Sequence, residues 1–476
     1  MNIVFAASEA APFVKTGGLG DVARALPFTL SSDLKQNVTL VLPFYRSIRQ
    51  NETVKTEEIA RFSTLLGWRN QETAVFRVKS RKKKLSVLLI DCPAYFDRER
   101  PYGYPDDGER FAFFSKAVLE TLVRLDIRAD IIHCNDWQTA LIPTLLHAFY
   151  AKTLPGVKTV FTIHNIEYQG WVHPYFLGDV LGLDGSYNDL FQIGDGHNFL
   201  KSAILSSDSV TTVSRTYAKE ILEPYYAHGL DGVIRENARK LSGIVNGIDT
   251  EENDPMRDPN LAVPYGVLDY AAGKKACKEA LQKEVGLPLK KDAPLIGMVS
   301  RLVAHKGLDL LCEALDEILQ KDVQIVILGT GEKEFENRLT NFACRYAGRF
   351  ALCLRFSGAL ASRIYAGSDL YLMPSKSEPC GLSQLIAERY GSLPVVHETG
   401  GLKDTVEPFD PTTGKGCGFT FYDFNRQELV GAVDRAVTLY REKPLLFAQA
   451  VKNAMTADLS WKKSAAEYLS LYESLL

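Results

Sequence analysis

Three stretches of the chain set cations, glycines and a carboxylate in patterns suited to holding phosphate and placing an acid group in a cleft. In KTGGLGD (Lys15 to Asp21) a glycine-rich loop beside a lysine feeds a helix, and the free N–H groups and dipole of a helix start attract phosphate. In SRLVAHKG (Ser300 to Gly307), Arg301 and Lys306 follow an apolar strand; arginine grips two phosphate oxygens at once and lysine adds a compact charge. The densest stretch is PSKSEPCGLSQLIAERYGSLPVVHETGGLKDTV (374 to 406). There Glu378 stands between an apolar strand and a helix, a position from which a carboxylate faces a cleft. Each feature also has a plain structural reading: a tight loop with a solvated lysine, surface cations, a solvated loop glutamate. Cys380 lacks an evident base partner in sequence, so no nucleophilic role is expected of it.

Two familiar chemistries fit poorly. GLGDVA (Gly18 to Ala23) matches a dinucleotide fingerprint, but about ten residues separate it from its strand, where the fingerprint requires a tight turn. No Asp-x-Asp pair occurs anywhere in the chain, so no metal site is expected. A departing diphosphate is then to be neutralised by cations and helix ends rather than by Mg²⁺.

The elements that must position these residues alternate. Short apolar runs (Ile3 to Ala7, Val38 to Leu42, Ile131 to Cys134, Thr159 to Ile163, Ser209 to Val213, Leu295 to Val299, Val323 to Leu328, Asp369 to Met373) are separated by helical patterns. This predicts an α/β protein with parallel sheets covered on both faces. One exception, Thr73 to Cys92, reads as a strand, a basic turn at Arg81 to Lys84, and a second strand. A length of 476 residues suits two domains of roughly 200 to 250 residues each. The polar, Pro-containing stretch Asn246 to Asn260 marks the boundary, so the expected division is 1–245, 246–458, and a tail at 459–476. Both domains open alike, with a strand, a basic glycine-containing loop and a helix, which predicts two doubly wound units whose strand C-termini hold a ligand between them. The tail SWKKSAAEYLSLYESLL has the spacing of an amphipathic helix that packs back on the first domain.

Composition excludes several classes. A formal net charge of -3 favours neither nucleic acid nor an anionic membrane. The eight cysteines are scattered without zinc spacing, which points to reduced thiols and a cytoplasmic protein. Neither a leader nor a membrane span is expected, since Glu9 interrupts the start and no apolar stretch of about 18 residues occurs.

Eight motifs in chain order carry a resemblance: KTGGLGDV, DCPAYFDRERPYGYPDDGERFAFFSKA, HCNDWQTAL, TIHNIEYQG, NGID, SRL-x-x-x-KG, EPCGLSQL and TGGLKDTV. Together they resemble the bacterial glycogen synthase and plant starch synthase family. The resemblance implies a glycosyltransferase-B fold with the donor in the cleft between two Rossmann-like domains. It implies retaining transfer of glucose from a nucleotide diphosphate to the end of an α-1,4-glucan such as glycogen, with no cofactor. ADP-glucose is the default donor and UDP-glucose an alternative.

By position in these motifs, the resemblance places Lys15, Gly17, Gly18 and Asp21 at the donor, Arg301 and Lys306 at its diphosphate, and His164 and Asn165 at its glucose. Glu378 falls near the sugar hydroxyls. Asn246, Phe356, Cys380, Gly381, Ser383, Gly400 and Gly401 complete the donor set; Tyr95, Asp136 and Trp137 form the acceptor set. Glu378, His164, Arg301 and Lys306 are the catalytic candidates, and truncating Arg301 or Lys306 is expected to slow transfer with little effect on folding. His164, ending an apolar strand, also reads as a satisfied core histidine. Tyr95, Phe96, Tyr102, Tyr104 and Trp137 offer faces for glucan stacking or belong to the core, as Phe111, Phe113 and Phe114 do. The chain departs from the family at Phe356-Ser357-Gly358, where Tyr-x-Glu is common, at Gln138 and at Ser377, which predicts weaker selection among nucleotide bases. Two rival readings stay open: a related transferase using a small sugar acceptor, and a non-catalytic glucan-binding protein.

Overall fold

The computed structural model describes residues 1–80 and 84–476; of the basic turn expected at Arg81 to Lys84, residues 81–83 lie outside the described residues. The chain divides into two compact units, one of Met1–Asn246 with Trp461–Leu476 and one of Gly247–Ser460.

The first unit is built on a nine-stranded sheet. Its strands are β1 (Asn2–Ala6), β2 (Asn37–Pro43), β3 (Thr56–Leu66), β4 (Arg69–Val78), β5 (Leu85–Asp91), β6 (Ile131–Asn135), β7 (Lys158–Ile163), β8 (Ser209–Thr212) and β9 (Leu241–Gly243). They lie in the order β9-β8-β7-β6-β1-β2-β5-β4-β3. All pairings are parallel except those of β4, which runs antiparallel to both β3 and β5. Runs such as IVFA and LVLP are buried throughout, as strands covered on both faces must be. The edge strand β3 mixes polar and apolar residues and is half exposed; with no continuous apolar run it gives little sequence signal.

The order of strands creates the site. β1 has β2 on one side and β6 on the other, so the connections leaving β1 and β6 diverge and open a crevice at the strand C-termini. The helix Gly18–Ser32 follows β1 and buries Leu19, Val22, Ala23, Leu26 and Leu30 against the sheet. The second unit repeats this logic with six parallel strands: β10 (Leu295–Val299), β11 (Gln324–Leu328), β12 (Phe350–Cys353), β13 (Leu370–Met373), β14 (Leu393–His397) and β15 (Phe419–Phe421). Their order is β12-β11-β10-β13-β14-β15, so the reversal falls between β10 and β13. Among the described residues no helix is long and apolar enough to cross a membrane.

The C-terminal helix Trp461–Leu475 packs on the first unit, burying Trp461, Ala465, Tyr468 and Tyr472 in its core. Its polar anchor is His133 on β6. The Nδ1 atom of His133 lies 2.6 Å from the Tyr472 hydroxyl and its Nε2 atom 2.6 Å from Thr162 Oγ1. Burial, with a smaller contribution from His164, depresses the His133 imidazole to about 3, whereas in an unfolded chain it titrates near 6.5. A neutral buried histidine therefore contributes stability that is complete above about pH 6.5 and is lost as pH falls toward 3. At pH 5 the loss is about 2 kcal/mol relative to pH 7. The urea midpoint is expected to fall between pH 7 and pH 5, and to fall less in His133→Asn; equal slopes in the two proteins would contradict a neutral buried His133.

Candidate active site

The switch point of the first unit is organised by a residue with no role in the motifs, Glu9. It lies just past β1 and is only 2% exposed. Its carboxylate accepts the N–H groups of Thr16 (2.8 Å), Gly17 (3.1 Å) and Gly20 (2.9 Å), and the Thr16 hydroxyl. A buried carboxylate needs such donors, and here they belong to the start of the helix Gly18–Ser32, whose N-cap Gly17 has no side chain to cap it. The expectation that the Gly17 amide is offered to the donor is thus corrected: Glu9 already holds it, and Gly18 is the glycine of the pair outside this clamp. A Cβ on Gly20 would press on Lys15, with its Cγ at 3.0 Å. Lys15 Nζ pairs with Asp21 at 2.7 Å, both half exposed.

His164 and Asp136 stand at neighbouring strand ends. The Asn135 side-chain amide donates to Ala6 O (3.0 Å), which turns its Oδ1 toward His164 Nε2 at 2.9 Å. His164 must therefore donate from Nε2, leaving Nδ1 with a lone pair. Burial lowers this imidazole to about 3, so His164 is neutral at physiological pH. His164 is thus anchored in the sheet and keeps an acceptor nitrogen. Asp136 takes a left-handed backbone conformation (φ 55°) and accepts the His164 N–H at 2.7 Å. Burial raises its carboxyl to about 7 despite that hydrogen bond. Asn165 Oδ1 caps the following turn by accepting the Glu167 N–H. Trp137 is half buried, with its ring 5.2 Å from Phe111.

Tyr95 is a correction. It is 5% exposed, its ring lies 4.9 Å from Phe113, and its hydroxyl donates to Glu109. Phe96 is equally buried. Neither presents a face to a glucan, because the helix Asp107–Arg124 covers them.

In the second unit the switch point brings Lys306 and Glu378 together. Lys306 Nζ lies 2.9 and 2.7 Å from the two Glu378 oxygens, and Ser375 Oγ donates to the carboxylate at 2.9 Å. Glu378 is 6% exposed. Glycines make this approach possible. Gly307 has φ 72°, and a Cβ on it would overlap Pro374 O at 1.9 Å, so the loop after β10 can press on the loop after β13 only with glycine there. Gly400 and Gly401 lie equally close to the backbone of Glu378 and Cys380, each 2.0 Å from a carbonyl oxygen if given a Cβ. The Gly401 N–H donates to Glu378 O at 3.0 Å. Expected at the donor, Gly400 and Gly401 are buried packing residues that set the Glu378 backbone. Gly381 bends the chain into the helix Ser383–Arg389 (φ 71°), Cys380 is buried, and Ser383 Oγ lies 3.6 Å from Met373 sulfur. Arg301 is exposed just past β10. Phe356 is 96% exposed, ahead of a helix capped by Ser357, and Gly358 has open space where a Cβ would stand. Asn246, ending the first unit, is buried with its Oδ1 unpartnered among the described residues.

Two Rossmann-like units, each with charged and hydrogen-bonding groups at its switch point, define a glycosyltransferase of the GT-B class. Residues 2–236 match the starch synthase catalytic domain family and residues 281–454 the glycosyl transferases group 1 family. A glycogen synthase from Desulfitobacterium hafniense is 45% identical over 480 residues, covering 100% of this chain and 99% of that one. The catalytic domain of starch synthase IV from Arabidopsis thaliana, solved with ADP and acarbose, superposes with a TM-score of 0.91 at 36% identity, over 99% of each chain. Sucrose-phosphate synthase from Thermosynechococcus elongatus shares the fold alone, with a TM-score of 0.62 at 15% identity, over 100% of this chain and 98% of that one. The chain belongs to the glycogen synthase and starch synthase family.

The buried Lys306–Glu378 pair corrects the expectation that truncating Lys306 leaves folding untouched, because it would strand a buried carboxylate. Lys306→Met is expected to destabilise the protein by about 3 kcal/mol, and adding Glu378→Gln to recover most of the loss. Urea denaturation of the single and double variants checks this, and additive losses would contradict it.

Proposed function

We propose that this glycosyltransferase moves glucose from ADP-glucose to the non-reducing end of an α-1,4-glucan with retention of configuration and without a metal ion. What carries the reading is the Lys306–Glu378–Ser375 cluster at a switch point, in a chain that matches glycogen synthases from end to end. The bond from the anomeric carbon to the β-phosphate oxygen breaks, and a bond to the acceptor 4-oxygen forms on the same face. The departing phosphate gains charge in the transition state, so Arg301 and Lys306 act there, where fixed cations contribute most. The lone pair on His164 Nδ1 accepts a sugar hydroxyl.

The contacts of Glu378 favour one of two routes. Both its oxygens face the Lys306 ammonium and one accepts from Ser375, which lowers the nucleophilicity needed for double displacement. This supports front-face attack, with the departing phosphate taking the acceptor proton and Glu378 holding Lys306 and the sugar hydroxyls. The eight cysteines, none in a disulfide, suit a reducing compartment, and we place the reaction in the cytoplasm.

Incubation with glycogen and labelled ADP-glucose is expected to give label in polymer, undiminished by EDTA. A strict need for added Mg²⁺ or Mn²⁺ would refute the metal-free reading, and label found only on small sugars would favour the small-acceptor alternative. The free Phe356 ring tolerates any base, and the open space at Gly358 supplies no side chain to select one. The ratio of kcat/KM for ADP-glucose over UDP-glucose is therefore expected to stay below about a thousandfold, short of the roughly 10⁴-fold that base-specific hydrogen bonds reach.

A further inference from the structure

The turn between β3 and β4 presents a tryptophan that the structure holds rigidly yet leaves uncovered. Trp68 is 73% exposed, although a ring of that size is ordinarily well buried. Its indole Nε1 donates to Asp179 Oδ1 at 2.9 Å. The Arg69 guanidinium lies 4.5 Å from the ring centre, covering one face. Arg69 is fixed in turn by Asp179 O and Oδ2, both at 2.8 Å, and by Glu109 at 3.2 Å. Gly67 lets the tip dock: its φ is 57°, and a Cβ would lie 2.3 Å from Asp179 O. One helical turn before Asp179, Tyr175 is also exposed, its ring 4.7 Å from His173. Edge and back of the indole are thus occupied while its other face meets water.

We propose that Trp68 and Tyr175 form a second glucan-binding platform, which holds the acceptor polymer away from its reacting end; this rests on the reading of the chain as a glucan-elongating transferase. A glucopyranose ring carries C–H groups on its faces and hydroxyls around its rim. Flat aromatic rings match the faces, and the carboxylate of Asp179 and the guanidinium of Arg69 match the rim. A rigid aromatic side chain gives contact area with little entropy lost on binding.

Position supports a polymer as the occupant. Ala74 on β4 pairs with Asp91, the last residue of β5, so Arg69 to Thr73 and the tip run past the C-terminal ends of the parallel strands. The loops that leave β1 and β7 with Lys15 and His164 lie at this same end. At about 3.4 Å per residue the tip stands on the order of 17 Å beyond Asp91. A linear glucan can span that reach while a short acceptor cannot, and a second contact on the same polymer raises its effective concentration at the first.

The test compares acceptors. In Trp68→Ala, KM for glycogen is expected to rise about five- to tenfold, the worth of one good aromatic contact, with kcat and KM for maltotriose unchanged. Tyr175→Ala should move the same way, and Trp68→Phe, which keeps a ring but lacks the indole N–H, should fall between. In native gels containing glycogen and no donor, the wild type should be retarded and Trp68→Ala should run ahead of it. Thermal melting checks that each variant is folded; if Trp68→Ala is not, Tyr175→Ala and Trp68→Phe decide. Equal retardation of wild type and folded variants would overturn the platform, as would no retardation of the wild type. Loss of maltotriose turnover by a folded Trp68→Ala would also overturn it, by placing the ring at the reacting end. Failure of the wild type to extend any glucan would instead overturn the transferase reading, and the retardation assay, which needs no turnover, separates the two.

Discussion

A carboxylate withdrawn from water must be given donors or a cation, and in both units this requirement shapes the functional loops. Glu9 meets it with backbone N–H groups of the loop at residues 16–20, and Glu378 with Lys306 and Ser375. The cost of leaving either group unpaired is several kcal/mol, so each carboxylate fixes its surroundings. Glu9 sets the path of the chain into the first helix and thereby where Lys15 and Gly18 stand. Glu378 sets where the Lys306 ammonium stands. The glycines serve these approaches: at Gly307, Gly400 and Gly401 any side chain would separate backbones that must touch.

The two units differ in their electrostatics. The second unit offers fixed charge, through Arg301 and the Lys306–Glu378 pair. The first has, beside the exposed Lys15–Asp21 pair and the Glu9 carboxylate, polar groups kept neutral or close to neutrality. Burial holds His164 uncharged, and it holds the Asp136 carboxyl near 7. The raised Asp136 value works against stability as pH rises from about 4 to 7, since the unfolded carboxyl ionises freely in that range and the folded one does not. The histidines oppose this on the acid side. A strained backbone at Asp136, held by the His164 N–H, belongs with such devices at working sites.

Much of the fold was legible because parallel strands buried on both faces need continuous apolar runs. Nearly all the expected runs became strands within a residue or two of their predicted ends. β3, β9, β12 and β15 escaped notice: β3 is amphipathic, β9 and β15 are only three residues long, and β12 is a half-buried edge strand. The aromatic side chains were harder. The aromatics of YFDRERPYGY read equally as faces for a glucan or as core, and Tyr95 and Phe96 are core residues covered by a helix that begins later in the chain. Trp68, in none of the motifs, is exposed. Glu9 weighed in the sequence only as a charge unsuited to a leader peptide.

The sequence by itself determined the elements, their alternation into two units, the placing of glycine-rich and basic loops after strands, and the family. These are local or collinear properties: periodicity, turn chemistry and motif order. Tertiary structure decided which partner each charge has. Lys306 and Glu378 are 72 positions apart, and His164 and Asn135 are 29 apart; strand order alone brings them within hydrogen-bond reach. Strand order follows from how the whole apolar surface is covered at once, so no local stretch encodes it, and with it came the tautomer of His164, the occupation of the Gly17 amide and the burial of Tyr95.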